Sequence, residues 1–218
     1  MKPDTPNHNE RNVVWLTSLI SREQRERTSG HRGLVVWLTG LPGSGKSSIA
    51  SATQAQLHAQ GYQTVLLDGD NLRHGLCADL GFSMEDRHEN VRRASEVAKL
   101  FLAQGFVVLV ALVSPMRSAR EQARQCIGAD DFMEVWCQCP PVVCASRDIK
   151  GHYAKAKCGV IADFTGVSSP YEEPLLPTLA LDTAAQTIDE SVAQIIDFLT
   201  LVRPEPEQRA RAPENFHG

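Results

Sequence analysis

The sequence predicts an α/β fold, a doubly wound parallel sheet of about five strands with helices on both faces. Three observations carry that prediction. Short apolar runs recur at 34–39, 64–67, 106–113, 132–137 and 178–181, bounded by glycine, proline or polar residues. The segments between most of them place apolar residues at helical spacing. And the first run leads straight into Gly40-Leu41-Pro42-Gly43-Ser44-Gly45-Lys46-Ser47, the phosphate-binding pattern G-x-x-x-x-G-K-[ST], followed by Ser48 and a helical stretch. Strands joined through helices pair in parallel by right-handed crossovers. Ligands then bind at the carboxyl ends of the strands.

In order, residues 1–12 are polar and read as loose. Val13-Val14-Trp15-Leu16 is a small apolar island before a charged run from Arg22 to Arg27. This N-terminal arm, residues 1–30, packs on the domain or a second subunit, or is a disordered leader. Leu34 to Thr39 is a buried strand. Ile49, Ala52, Ala55, Gln56 and Ala59 mark a helix capped by Gly61. The second strand ends in Asp68-Gly69-Asp70-Asn71. A helix follows from about Asp86 to Gln104, with Asp86-x-x-Glu89 resembling a capping box and Val91, Ala94, Ala98 and Phe101 as its buried face. Residues 106–113 are the most apolar run and read as a central strand, stopped by Ser114-Pro115. A polar helix spans Met116 to Cys126. After the fourth strand, Pro140-Pro141 opens a short helix. Residues 148–177 lack periodicity and mark a lid, since a loop this long in a compact domain is usually functional. A strand over Thr178 to Leu181 precedes a closing helix with Ile188, Val192, Ile195, Ile196 and Leu199 on one face. The domain thus runs over 31–203, and the Pro/Glu/Arg-rich tail, 204–218, reads as disordered.

A net charge of −4 gives no bulk attraction to nucleic acid or anionic membrane, so an anionic substrate needs local cations. No apolar run approaches the ~20 residues of a membrane helix. The start of the chain carries no signal-peptide core, and a cytoplasmic chain is expected. The six cysteines form no C-x-x-C pair and read as buried or free thiols rather than a metal site.

The chemistry gathers around the glycine loop. Its backbone N–H groups and the following helix N-terminus suit phosphates. Lys46 reaches the β/γ phosphates of ATP, and the Ser47 hydroxyl suits Mg²⁺. The strand at 106–113 ends in Ser114 where an acid often stands, so Asp68 and Asp70 are the carboxylates beside the loop. One orients Mg²⁺-bound water and the other accepts a hydrogen bond from an attacking hydroxyl; a plain Asp-Gly turn is the bland alternative. Arg87 and Asn90 share a helix face, a fork and an amide suited to a sulfate or phosphate and a base edge. Arg92 and Arg93 read as partners of Glu89, and Arg120 and Arg124 as a solvated face. In the lid, Arg147, Lys150, Lys155 and Lys157 are candidate clamps on ATP. Phe164 and Tyr171 either stack on a base or pack the loop.

The chain resembles the adenylylsulfate (APS) kinase family. The matching stretches include the glycine loop, Leu67-Asp-Gly-Asp-Asn-Leu-Arg-His-Gly-Leu76, Leu80-Gly-Phe82, Asp86-Arg-His-Glu-Asn-Val-Arg-Arg93, Ser114-Pro115, Arg147-Asp148, Lys150-Gly151 and Phe164-Thr-Gly-Val167. The resemblance implies a P-loop kinase fold and Mg²⁺-ATP-dependent phosphorylation of the ribose 3′-hydroxyl of adenosine 5′-phosphosulfate, in sulfate activation. It implies that Asp70, Arg73, Phe82, Arg87, Asn90, Val113 and Phe164 hold that substrate. It places Ser114 at a position known as a phosphoserine in bacterial relatives. A homodimer and a sulfate adenylyltransferase partner are further expectations. The chain departs from the family at Pro42, where Ser is usual, and in the lid at Ile149, His152, Ala154 and Lys157. Two other classes compete: a P-loop kinase for a nucleotide or sugar, and a silent nucleotide-binding module. The stretches at 68–76 and 164–167 argue against the first; the lid departures keep the second open. No Asn-Lys-x-Asp guanine motif occurs.

Overall fold

The computed structural model describes residues 14, 16, 18–148 and 151–202, except the side chain of Val202. Most of the expected arm, Lys150 and the expected tail lie outside the described residues. The elements are α1 (Arg22–Ser29), β1 (Leu34–Thr39), α2 (Lys46–Ala59), β2 (Thr64–Asp68), α3 (Gly69–Arg73), α4 (Met84–Leu102), β3 (Val107–Ala111), α5 (Arg117–Ile127), β4 (Phe132–Gln138), α6 (Pro141–Ser146), α7 (His152–Lys157), β5 (Leu179–Asp182) and α8 (Ile188–Val202). The sheet is parallel throughout, in the order β2-β3-β1-β4-β5.

β3 is an interior strand, buried throughout, as its apolar run predicts, and β1 beside it is the middle strand of the five, buried along its whole length. Burial on both faces explains its unbroken apolar run. One face packs Val36, Leu38, Leu109 and Val135 against α2 and α8; the other packs Val35, Trp37, Val108 and Val110 against α4 and α5. The strand order reverses at β1, which sets the carboxyl end of that strand as the ligand crevice.

Several boundaries differ from expectation for identifiable reasons. The cap of α4 is Ser83, three residues before Asp86. Its hydroxyl accepts from the Asp86 N–H at 3.1 Å and donates to the Asp86 carboxylate at 2.9 Å. The buried face of α4 is Asn90, Val91, Ala94, Ser95, Ala98 and Leu102, with Phe101 only half-buried. α2 buries Ile49, Ala50, Thr53 and Leu57, while Ala55, Gln56 and Ala59 face solvent, and its C-cap is Gln60 rather than Gly61. The lid contains α7, too short at six residues to show a period. The arm's last segment is α1, closed by a Ser21/Gln24 capping box. Arg22 and Arg32 both pair with Asp131, and Arg22 also donates to the Gly33 carbonyl, so α1 is fastened to the amino end of the sheet.

Candidate active site

The loop from Gly40 to Ser47 joins β1 to α2 and is shaped by its glycines. A Cβ at Gly40 would stand 2.7 Å from the Cys137 carbonyl oxygen, and one at Gly43, whose φ is +79°, 2.7 Å from that of Cys144. Only glycine admits so close a backbone approach. The N-cap of α2 is Gly45, with no side-chain hydrogen bond to the first turn, so the N–H groups there and the helix dipole are left for an anion. Pro42 contributes through its backbone: its carbonyl accepts from the Tyr153 hydroxyl at 2.8 Å, tying the loop to α7.

Lys46 is buried against this loop. Its ammonium donates to the carbonyls of Gly40 at 3.0 Å and Leu41 at 2.7 Å, and to Ser44 Oγ at 3.4 Å. Burial lowers its pKa, opposed by Cys137 and Cys144 and, more weakly, by Asp68 and Asp70. Beside it, Ser47 Oγ donates to Asp68 Oδ2 at 2.6 Å. Asp68 is the N-cap of α3, and its other oxygen accepts from the Asp70 N–H at 2.9 Å. Asp70 stands on the first turn of α3, exposed. Glycine-loop, lysine, hydroxyl and the two carboxylates thus converge as expected. A hydroxyl and a carboxylate 2.6 Å apart form a hard-oxygen donor pair, which fits Mg²⁺ completed by substrate phosphates. Among the described residues no group of three or more His, Cys, Asp or Glu forms a self-sufficient metal cage.

A second cluster lies across the crevice. Phe82, 55% exposed, carries the Arg73 guanidinium 4.3 Å above its ring centroid and that of Arg87 at 5.5 Å. Arg73 donates to the Leu80 and Gly81 carbonyls; Arg87 donates to those of Phe82 at 2.9 Å and Asp163 at 2.7 Å. Desolvation and the neighbouring Arg73 lower the Arg87 pKa, as expected where two cations share a pocket. Asn90, one helical turn on, is buried with its Oδ1 unpartnered, an acceptor in need of a donor. Arg87 also links this cluster to the lid through Asp163. Phe164 then packs edge-on against Tyr153 at 4.9 Å and near Leu41, while a Cβ on Gly166 would meet Leu41 at 2.7 Å. Loop, α3, α4 and lid form a continuous rim.

Arg120 and Arg124 sit otherwise than read, and Ser114 departs from the extended geometry that the following Pro115 favours. Ser114 is not extended: its φ is +38°, a strained value for a residue before proline, costing about 1–3 kcal/mol. It is buried, and its hydroxyl accepts from the Trp37 indole N–H at 3.1 Å and donates to the Leu112 carbonyl at 3.3 Å. Val113 presents its carbonyl to the Thr39 hydroxyl at 2.8 Å. Arg120 is not solvated. It is 3% exposed, paired with Glu134 at 2.7 Å across the α5–β4 contact. Arg124 is half-buried with its guanidinium 5.5 Å over the Phe132 ring. Tyr171 packs rather than stacks: its hydroxyl meets Thr39 Oγ1 at 3.1 Å, and burial pushes its pKa up to about 12. Phe164, 8% exposed, also packs the loop. Arg147, at the end of α6, donates to the Thr183 carbonyl at 2.9 Å beside Cys139; Lys155 and Lys157 are exposed. As read, Glu89 binds both Arg92 and Arg93. All six cysteines are free thiols. Sequence reasoning missed the Arg120–Glu134 pair; the signal was an acid in mid-strand, Phe132-Met-Glu-Val135, which demands a buried cation.

A phosphate loop, a buried lysine and a hydroxyl–carboxylate pair at the switch point of a β2-β3-β1-β4-β5 sheet define a P-loop phosphotransferase. The adenylylsulphate kinase family model matches residues 32–182. The chain belongs to that family. It is 52% identical over 188 residues to the adenylyl-sulfate kinase of Prochlorococcus marinus, covering 86% of this chain and 94% of that one. It is 51% identical over 187 residues to that of Shewanella amazonensis, with 86% and 94% covered. The APS kinase CysC of Mycobacterium tuberculosis, solved in complex with AMPPNP and APS, superposes with a TM-score of 0.75 at 50% identity, covering 78% of this chain and 98% of that one. A gluconokinase from Sinorhizobium meliloti, 21% identical with a TM-score of 0.52, shares the fold, with 78% of this chain and 93% of that one covered.

Proposed function

We propose that this site transfers the γ-phosphoryl group of ATP to the ribose 3′-hydroxyl of adenosine 5′-phosphosulfate, yielding ADP and 3′-phosphoadenylyl sulfate for sulfate assimilation. The observation that supports it best is the pairing of two unlike clusters across one crevice. Lys46, Ser47 and Asp68 surround the phosphate loop; Arg73, Phe82 and Arg87 offer cations and an exposed ring to an anionic nucleotide.

Residues 40–48 cradle the phosphates and Arg147 acts as a clamp on ATP; Lys150, given the same role by the sequence, lies outside the described residues. Lys46 stabilises charge on the transferring group. Ser47 and Asp68 would hold Mg²⁺, which would supply neutralisation of phosphate charge. Asp70 accepts the hydrogen bond and then the proton of the 3′-hydroxyl as the hydroxyl oxygen attacks phosphorus in line. The bond to the β-phosphate oxygen breaks, and ADP leaves. Asp70, Arg73, Phe82, Arg87, Asn90, Val113 and Phe164 form the acceptor side, with the Asn90 acceptor suited to an adenine amino group. Ser114 supports the strand end rather than carrying a phosphoryl group. Residues 148–177 act as the lid of a single catalytic domain spanning 31–203. A homodimer in the cytoplasm, with sulfate adenylyltransferase as the partner that supplies acceptor, completes the reading. No described helix is long and apolar enough to cross a membrane.

An acceptor panel tests it: ADP release from Mg²⁺-ATP with adenylyl sulfate, adenosine monophosphate or gluconate. Release stimulated by adenylyl sulfate alone is expected. Equal stimulation by gluconate would move the chain to a sugar-kinase reading.

A further inference from the structure

The strand end at 113–115 and the returning limb of the lid at 171–173 are held together by one buried side chain. Arg120 projects from the first turn of α5. Its Nε donates to Glu134 Oε1, its Nη1 to the Ser114 carbonyl and its Nη2 to the Glu172 carbonyl, each at 2.7 Å. The guanidinium also stands 5.8 Å over the Tyr171 ring. Around this fork the two segments are stitched directly. The Glu172 N–H donates to the Pro115 carbonyl at 2.8 Å. The Arg117 N–H donates to the Glu172 carboxylate at 2.8 Å, and Arg117 Nε to the Glu173 carbonyl at 2.7 Å. Tyr171 reaches Thr39 at the end of β1, and Thr39 in turn donates to Val113.

We propose that Arg120 is a positioning residue for the acceptor: it fixes the left-handed turn at Ser114 and the lid limb in one frame, so that the 163–169 loop meets Arg87 and Leu41 in register. The proposal rests on the reading of Arg87 and Phe164 as acceptor-side residues. A planar fork holds a carboxylate and two carbonyls apart in one plane from three separate nitrogens; a single tetrahedral ammonium does not reproduce that spread or plane. The strained φ at Ser114 persists only where its surroundings over-determine it, and Arg120 supplies the carbonyl contact of that turn. From Tyr171 the chain runs back through Pro170 and Ser169 to the tight loop closed by Gly166 N–H to the Ser169 carbonyl and by three N–H groups converging on the Phe164 carbonyl. Fixing 171–173 therefore fixes the base of that loop. The loop's far side carries Asp163, which binds Arg87. This frame meets the phosphate loop through the Leu41 side chain and at Thr39, not through the Gly40 and Leu41 carbonyls that bind Lys46, so ATP use is expected to depend on it far less than acceptor use does.

The test compares Arg120→Lys, which keeps the charge facing Glu134, and the double variant Arg120→Met/Glu134→Leu, which leaves no buried carboxylate unpaired. Steady-state kinetics and hydrogen exchange of the 163–173 amides are read on both, beside thermal midpoints. We expect the KM for adenylyl sulfate to rise about tenfold in each variant, with the KM for ATP within twofold, and the Glu172 amide to exchange at least tenfold faster. Variants with a lower thermal midpoint but unchanged acceptor KM and unchanged 163–173 exchange would overturn the proposal, leaving Arg120 a purely structural ion pair. A parallel rise in both KM values would overturn it too. If the unsubstituted chain showed no adenylyl-sulfate-dependent turnover, the functional reading itself would fail, while the exchange measurement would still decide what Arg120 holds.

Discussion

Ser114→Ala separates a supporting hydroxyl from a phosphoryl carrier. The hydroxyl is enclosed between the Trp37 indole, itself fully buried, and the Leu112 carbonyl. Alanine removes the acceptor that Trp37 Nε1–H has among the described residues and leaves a buried donor unsatisfied, a cost of about 1–3 kcal/mol. For a chain of this size each kcal/mol moves the midpoint by about 2–4 °C, so a loss of about 2–12 °C is expected by calorimetry. The turn itself survives, because Arg120 and Thr39 hold the backbone carbonyls of Ser114 and Val113. Catalysis then falls modestly. At least a few per cent of kcat is expected to remain, a barrier rise of about 2 kcal/mol or less. Asp70→Ala loses far more, since it removes the acceptor for the attacking hydroxyl. Initial rates at saturating ATP and acceptor read both variants. A Ser114→Ala protein with a native midpoint but kcat below about 0.1% of the original would refute this reasoning. So would net retention of configuration at a chiral γ-phosphate, because a single displacement inverts.

Lys46→Ala is expected to lower kcat by about two or more orders of magnitude, since it removes the cation held over the phosphate loop; turnover within about threefold of the original would sink the assignment. Arg87→Ala is expected to raise the acceptor KM about 10–100-fold, the loss of a charge-assisted contact of about 1.5–3 kcal/mol, with the KM for ATP nearly unchanged. A fall in ATP affinity alone would mean that the two subsites are exchanged. Glu89 responds to pH. Its side-chain hydrogen bonds to Arg92 and Arg93 lower its pKa from 4.5 to about 2, so its contribution to stability is complete above pH 4.5 and disappears as pH falls through about 2. The pair is exposed, so Glu89→Gln is expected to shift the urea midpoint by no more than about 0.5 M, with the gap closing on acidification. A gap of constant size from pH 6 to 3, roughly, would contradict the linkage.

The middle of the sheet was legible because β1 and β3 are buried along their whole length and carry unbroken apolar runs. β1 falls on the residues expected, Leu34–Thr39, and the glycine loop follows without offset. The Asp68 side of the site was legible too, since an acid at a strand end beside a glycine loop has few other uses. What sequence hid was tertiary. Pro115 disfavours a left-handed Ser114, yet hydrogen bonds from Arg120, Thr39 and Trp37, distant in sequence, override that preference. Arg117, Arg120 and Arg124 look alike in a polar helix; only the fold reveals that Arg120 faces Glu134. Six residues of α7 are too few to announce a period, and the capping residue of α4 was masked by a second acid-rich box one turn later.

The most direct measurement is the stoichiometry of the reaction. Purified protein is incubated with Mg²⁺-ATP, with and without adenylyl sulfate, while ADP is followed by a coupled assay and the nucleotide product by phosphorus NMR. The account predicts one ADP released for each adenylyl sulfate consumed, with the new phosphate on the 3′-oxygen and little ADP without acceptor. ADP release indifferent to adenylyl sulfate, or no release at all from a folded, ATP-binding protein, would contradict it.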